Sequence, residues 1–123
     1  MQAVSRCENS MRVERLSPAP DNQTQFAWSH HVTVPDQAGC YALATYNGDV
    51  LYVGLATASI RSRMGSHLDS PAKRKGCDLG VPFWFYYILR TDTEVGPIER
   101  GWMNQAILED GEMPPLNQVY SPL

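Results

Sequence analysis

The sequence predicts an α+β fold in which a small three-stranded antiparallel sheet is flanked by helices. The first observation is the pair Asn47-Gly48, because a two-residue hairpin turn of type I′ needs positive φ at both central residues. The second is the aromatic-rich run from 83 to 89, which favours a strand. The third is helical spacing of apolar residues in two segments after the hairpin. The resulting order, β-β-α-β-α, is typical of a small sheet packed by helices.

Residues 1–34 are predicted to form an N-terminal arm, and residues 35–123 one folded domain. The arm is polar, and the prolines and Asx residues within 18–22 predict irregular structure. We expect Phe26 and Trp28 to pin this arm to the domain.

The hairpin is predicted to span about residues 39–54. Residues 40–46 form its first strand and 49–53 its second, which Gly54 ends. The third strand, over 83–89, is predicted to lie in the centre of the sheet because it is the most strongly β-prone segment.

A first helix is expected soon after Gly54, with Thr57 or Ser59 as its N-cap. Residues 69–80 contain one proline and two glycines and are predicted to form a loop. The apolar face of this helix is predicted to comprise Ile60, Met64, His67 and Leu68.

A second helix is expected to begin near Pro97, since proline suits the first helical position, and to run to about Asp110. Gly111 supplies the stop signal. The tail that follows, with Pro114 and Pro115, is predicted to be extended.

Size and composition indicate one ordinary globular domain. The chain has 123 residues, 43% of them hydrophobic and 19% charged. No apolar run approaches the roughly 20 residues that span a bilayer, and the N-terminus shows no secretory signal. Three widely spaced cysteines, Cys7, Cys40 and Cys77, form neither a CxxC pair nor a disulfide framework. They suit a reducing cytosol, so a cytoplasmic location is expected.

The charge is unevenly distributed. The formal net charge is −3, but residues 61–75 carry five basic residues and one acid, which leaves −7 on the rest. A basic stripe on an acidic body can face a phosphate backbone, although a solvated surface would have the same composition. The candidate nucleic-acid-binding residues in this stripe are Arg61, Lys73, Arg74 and Lys75.

One ordered series of residues points to chemistry. Gly39-Cys40-Tyr41 begins the first strand, and Tyr52-Val53-Gly54 ends the second, with ten residues between the two tyrosines. The series continues along the chain with Arg63, His67, Glu99 and Asn117. Each of these residues alone has an ordinary structural explanation, such as a cross-strand aromatic pair or a solvated helix residue. Agreement at all positions in this order is much less expected by chance.

The series resembles the GIY-YIG nuclease family over about residues 35–120. The family's fold, a three-stranded antiparallel sheet flanked by helices, agrees with the predicted order. Its members include homing endonucleases, restriction enzymes and nucleases of repair and recombination. The resemblance implies that the functional positions of the family fall on Tyr41, Tyr52, Arg63, His67, Glu99 and Asn117.

Three departures from the family pattern accompany the resemblance. Cys40 replaces an aliphatic residue, which affects packing. Leu55 stands where a lysine or small polar residue often follows the second motif. The interval from Gly54 to Arg63 is one residue longer than in the family pattern, which leaves Arg61 as a second, less favoured candidate for the catalytic arginine.

The resemblance implies a metal-dependent hydrolysis of phosphodiester bonds. Glu99, expected in a first helical turn where the helix dipole favours a carboxylate, would hold Mg²⁺ or Mn²⁺. Arg63 would clamp the phosphate, and Tyr41 would orient or deprotonate the attacking water beside Tyr52. Asn117 would fix the site through hydrogen bonds.

DNA is the expected substrate, but two other functions remain open. One is an RNA-cleaving nuclease or toxin, and the other is a catalytically silent nucleic-acid-binding module of the same fold. The domain has little surface for reading bases. We therefore expect weak sequence preference, or targeting through a homodimer or a partner, and no association with membranes.

Overall fold

The computed structural model describes residues 11–117. Cys7 and the tail beyond Asn117 lie outside the described residues. The strands are β1 (Asn22–Gln25), β2 (Gly39–Ala44), β3 (Val50–Ala56) and β4 (Trp84–Leu89). The helices are α1 (Trp28–His31), α2 (Ile60–Leu68), α3 (Pro71–Lys75) and α4 (Val95–Asp110), with a 3₁₀ turn at Val13–Arg15. The predicted α+β class is confirmed.

The sheet has four antiparallel strands in the order β1-β4-β2-β3, so the prediction of three strands is wrong. The additional strand, β1, lies in the segment predicted to be irregular and pairs from Asn22↔Tyr87 to Gln25↔Trp84. Its sequence is Asn-Gln-Thr-Gln, and none of its residues is buried. An edge strand with no apolar face has no alternating pattern, so local sequence could not reveal it. The placement of β4 inside the sheet is confirmed.

The β2–β3 hairpin is confirmed, but its turn differs from the predicted one. Gly48 has φ of +96°, whereas no non-glycine residue among 11–117 has positive φ, so Asn47 does not. The Gly48 N–H donates to the Thr45 carbonyl at 2.9 Å, and the Asp49 N–H donates to Thr45 Oγ1 at 3.1 Å. The strands therefore end at Ala44 and resume at Val50, with a longer connection than a two-residue turn.

The two faces of the sheet bury two separate clusters, as strand alternation requires. On one face, α4 packs on β2 and β3, and residues from the N-terminal segment complete the cluster. On the other face, α2 packs on β2 and β3, and Phe85 of β4 joins the same cluster. The first cluster includes Met11, Leu16, Cys40, Val53, Trp102 and Met103. The second includes Phe26, Tyr41, Leu43, Ile60, Met64 and Phe85.

Helix α2 begins as predicted after Ser59, whose Oγ accepts a hydrogen bond from Ser62 N at 3.0 Å. Ser59 is therefore the N-cap rather than Thr57. All four residues predicted for the apolar face of this helix are buried. The prediction of a loop over 69–80 is wrong in part, because α3 forms within it. Ser70 is the N-cap of α3, and Pro71 is its first residue.

Helix α4 begins at Val95, two residues before Pro97, and ends where expected at Gly111. Gly111 has φ of +83°, and its N–H donates to the Ile107 carbonyl at 2.9 Å. The earlier start puts Glu99 fifth in the helix, so the prediction of a first-turn carboxylate is wrong. Within residues 11–117, no helix is both long and apolar enough to cross a membrane.

Candidate active site

Tyr41 lies at the centre of the α2 side of the sheet and is completely buried. Its cross-strand partner on β3 is Gly54. A Cβ atom at Gly54 would lie 2.6 Å from the Tyr41 hydroxyl oxygen, so the phenol crosses a space that only glycine leaves open. The two motifs therefore meet across the hairpin, with the glycine of the second accommodating the tyrosine of the first.

His67 contacts the same phenol from α2. Its Nε2 lies 2.7 Å from the Tyr41 hydroxyl, in a buried hydrogen bond. Burial lowers the pKa of His67 to about 4, with smaller contributions from the charges of Lys73 and Arg63. The imidazole is therefore neutral at pH 7, and the hydrogen bond joins two uncharged groups.

Tyr52 is the half-buried phenol of the pair. Its ring stacks near that of Tyr41, with centroids 6.2 Å apart and planes 26° apart. It also meets the edge of His67, with centroids 4.8 Å apart. Burial raises the pKa of both Tyr41 and Tyr52, so both phenols carry their protons at neutral pH. Of the two, Tyr52 is the one that solvent can reach.

Arg63 supplies the positive charge beside these phenols. It lies in α2 one turn before His67, and its charge opposes the rise in pKa of both Tyr41 and Tyr52. Its side chain is exposed, and no carboxylate of residues 11–117 forms a salt bridge with it. The guanidinium is thus available to an external anion.

Arg61, the second candidate arginine, is committed elsewhere. Its Nε donates to the Val34 carbonyl at 2.7 Å, and its own carbonyl lies 2.8 Å from His31 Nε2. Gly65 permits this packing, since a Cβ there would lie 3.2 Å from His31 Nε2. Arg61 therefore joins α2 to the segment before β2, while Arg63 remains at the phenols.

Glu99 is buried, with 4% of its surface exposed, on α4. That helix packs on the opposite face of the sheet from α2. The charge of Glu99 nevertheless contributes to the raised pKa of Tyr52. Burial raises the pKa of the Cys40 thiol to about 12, and the charge of Glu99 is the second cause. The pKa of Tyr52 is therefore affected by two charges in opposite directions: Glu99 raises it and Arg63 lowers it.

Asn117 is fully engaged with the backbone of β3. Its Oδ1 accepts from Val53 N, and its Nδ2 donates to the Val53 carbonyl, both at 3.0 Å. Next to it, Leu116 N donates to the Leu51 carbonyl at 2.8 Å. The amide thus pairs with the edge strand beside Tyr52, so its contribution to the site is to hold that strand rather than to touch a ligand.

The basic residues of the predicted stripe have different environments in the structure. Lys73 places its Nζ 4.6 Å from the centroid of the Tyr52 ring. Arg74 instead donates from Nη1 to the Leu68 carbonyl at 3.4 Å, and the Lys75 side chain is exposed. Of the two lysines, only Lys73 meets the phenols. Sequence spacing could not show this, because Lys73 lies in a segment that was predicted to be a loop and that forms α3.

A groove continues from Arg63 at the beginning of α2. A cavity of about 300 Å³ is lined there by Thr57, Ser59, Ser62 and Arg63 together with residues 55, 56 and 58. An adjoining cavity of about 560 Å³ shares Thr57 and includes Arg90 together with the acids Asp92 and Glu94. The surface beside the candidate site is thus rich in hydroxyl groups that can donate hydrogen bonds to an anion.

The side chains present could hold a cation only with help from a substrate. Residues 11–117 contain no group of three or more His, Cys, Asp or Glu side chains arranged around a common point. Glu99 offers one carboxylate, whose charge raises the pKa of Tyr52. Mg²⁺ and Mn²⁺ suit such a site, because Mg²⁺ keeps several waters and takes its other ligands from one or two carboxylates and from phosphate oxygens.

Comparison with known proteins adds no relative. No protein-family model matches this chain, and no curated protein is significantly similar to it. The resemblance to GIY-YIG nucleases therefore depends on the ordered residues of the sequence.

Proposed function

We propose that this chain is a GIY-YIG-type endonuclease that hydrolyses phosphodiester bonds of DNA with Mg²⁺ or Mn²⁺. The observation that carries the proposal is the exposed Arg63 guanidinium, which lies beside two stacked phenols and has no salt bridge to a carboxylate of residues 11–117. A guanidinium without such a salt bridge, at a polar and partly buried cluster, is suited to an anionic substrate, and a phosphate fits its planar donors.

In this proposal, Arg63 binds the scissile phosphate. Its donors would meet the non-bridging oxygens, where negative charge grows during attack. The guanidinium keeps its proton at every relevant pH, so its role is charge stabilisation and orientation rather than proton transfer.

Tyr52 is favoured over Tyr41 as the phenol that orients the attacking water. Tyr52 is only partly buried, whereas Tyr41 has no exposed surface and bonds to His67. Both are protonated at neutral pH, so they act first as hydrogen-bonding groups. Tyr41 and His67 would then be positioning residues that keep the Tyr52 ring in place from behind.

Glu99 would hold the divalent ion near Tyr52. The bound ion would supply positive charge to the phosphate and the leaving oxygen. Cys40 has a thiol that stays protonated next to the carboxylate, and it donates to the Val95 carbonyl at 3.3 Å. A neutral neighbour adds no competing charge to the Glu99 environment.

The proposal is tested by nicking of supercoiled plasmid with Mg²⁺, with Mn²⁺ and with chelator. We expect Glu99→Gln to lower the rate by roughly a thousandfold, because a carboxylate that holds the ion contributes several kcal/mol to the transition state. Glu109→Gln is the matched control, since Glu109 is on the same helix and pairs with Arg15 at 3.3 Å. Equal rates for both variants would refute the metal role of Glu99.

The same assay separates the other functions. Cleavage of RNA but not of DNA would identify a ribonuclease or toxin instead. Binding without cleavage in every metal would identify a silent nucleic-acid-binding module. A cytoplasmic location and targeting by a homodimer or a partner are part of the proposal, and we expect weak sequence preference because the domain offers little surface for base contacts.

A further inference from the structure

Lys73 is held beside Tyr52 by a short helix of its own. It is the third residue of α3, and its backbone N–H donates to the Oγ of the N-cap Ser70 at 3.3 Å. Pro71 begins the helix with its φ already fixed. These two local features aim the side chain so that Nζ lies 4.6 Å from the Tyr52 ring centroid, at cation–π distance.

Lys73 and Arg63 form a pair of like charges, since each cation acts on the same neighbourhood of phenols and imidazole. No carboxylate among residues 11–117 forms a salt bridge with either cation. The charge of Arg63 contributes to a lowered pKa of Lys73, and both cations contribute to the lowered pKa of His67. Gathering two cations around a neutral imidazole costs free energy, which a bound anion would offset.

We propose that Lys73 forms a second anion subsite, which binds the backbone phosphate next to the one at Arg63 on the same nucleic-acid strand. This inference rests on the proposed function only in taking nucleic acid as the ligand. The ammonium has three donors, and a cation–π contact with Tyr52 leaves them available to phosphate oxygens.

The path of the nucleic-acid strand follows from the order of the groups along α2 and α3. The hydroxyl-lined groove lies at the N-terminal end, Arg63 is in the first turn, and His67 is one turn further on. Lys73 lies beyond His67, in the next helix. Four residues of a helix advance about 6 Å, so His67 lies about 6 Å beyond Arg63 along the axis of α2. The strand would therefore run beside α2, from the groove past Arg63 to Lys73.

The test is binding of a fluorescein-labelled 15-nucleotide single-stranded DNA, measured by anisotropy in EDTA over a series of NaCl concentrations. Lys73→Met should weaken binding roughly three- to tenfold at low salt and make the slope of log K against log salt shallower by about 0.7. Arg15→Met is the control, because it removes the same charge from the α4 side, where Arg15 is 62% exposed and pairs with Glu109.

A second measurement does not involve nucleic acid. The charge of Lys73 contributes to the lowered pKa of His67, so removing it should raise that pKa. Titration of the His67 ring protons by NMR should therefore show an upward shift in Lys73→Met and none in Arg15→Met. An unfolded variant would titrate at the ordinary value of 6.5, so a shift that stops well below that value shows that the variant keeps its fold.

The outcomes separate this inference from the nuclease proposal. If wild type nicks plasmid but Lys73→Met binds the oligonucleotide as Arg15→Met does, the subsite is refuted and the nuclease stands. If Lys73→Met loses affinity but no protein cleaves, the subsite stands and the enzyme does not. Absence of oligonucleotide binding by wild type would overturn the subsite, and the plasmid assay would still decide the nuclease proposal.

Discussion

The two faces of the sheet differ in what they bury. On the α4 face, the cluster is apolar and closed by the N-terminal segment, with Trp102 completely buried at its centre. On the α2 face, the cluster contains a buried phenol hydrogen-bonded to a buried imidazole, and two cations stand at its rim. Apolar contacts are non-directional, whereas the polar pair needs particular partners at particular distances. We infer that the α4 face mainly stabilises the fold while also contributing the buried Glu99, and that the α2 face carries the phenols, the imidazole and the two cations.

The largest expected effect on stability is on the α4 face. Trp102→Ala should lower the free energy of unfolding by about 3–5 kcal/mol, because it leaves a large cavity in a closed cluster. The variant also loses the bond from Trp102 Nε1 to the Pro18 carbonyl at 2.9 Å. Urea denaturation at pH 7 measures the change.

Trp28→Ala is the control for that substitution, since Trp28 is 48% exposed and lies on α1. A loss in Trp102→Ala no greater than the loss in Trp28→Ala would contradict the assignment of the main stabilising core to the α4 face.

The next effect is a pH dependence on the α2 face. The pKa of His67 is about 4 in the fold, below its ordinary value of 6.5, so the unfolded chain binds this proton more readily. The stability that His67 contributes is therefore complete above pH 6.5 and is lost as the pH falls toward 4. Between pH 7 and 4.5 we expect wild type to lose roughly 2 kcal/mol through this residue.

Urea midpoints at the two pH values measure that loss, with His67→Gln as the comparison. The variant has no imidazole to protonate, so its own decrease over this range should be smaller by about the same roughly 2 kcal/mol. Parallel decreases in the two proteins would show that His67 is not the buried neutral imidazole described here.

The smallest effect tests the polar pair directly. Tyr41→Phe keeps the ring but removes the hydroxyl that bonds to His67, which leaves the buried Nε2 without that partner. The expected loss of stability is about 1–2 kcal/mol. Tyr46→Phe, at a tyrosine that is 69% exposed, should change stability by less than about 0.5 kcal/mol. Equal urea midpoints for both variants would mean that the hydrogen bond contributes nothing.

Much of the fold was predictable because its signals are local. Asn47-Gly48 predicted a hairpin, Ser59 a helix start and Gly111 a helix end, and each feature is present. The turn type, α3 and β1 were missed. β1 forms because an edge of β4 was available for pairing. The polar sequence of β1 gives no indication of that partner.

The candidate site divides in the same way. The spacing of the two tyrosines across a hairpin, and of Arg63 and His67 one turn apart on a helix, predicted which side chains share an element. It could not predict that Asn117 uses its whole amide on Val53, or that Tyr41 is buried and Tyr52 reachable. Those outcomes depend on contacts between distant segments, which local spacing does not encode.

The sequence by itself determined the α+β class, the hairpin, the two main helices and the residues that face the sheet from α2, because periodicity and capping act within a few residues. Only the tertiary structure decided that Arg63 rather than Arg61 lies beside the phenols, and that Lys73 meets Tyr52. The physical reason is that burial and charge proximity belong to the packed molecule, since each depends on which distant segments come together.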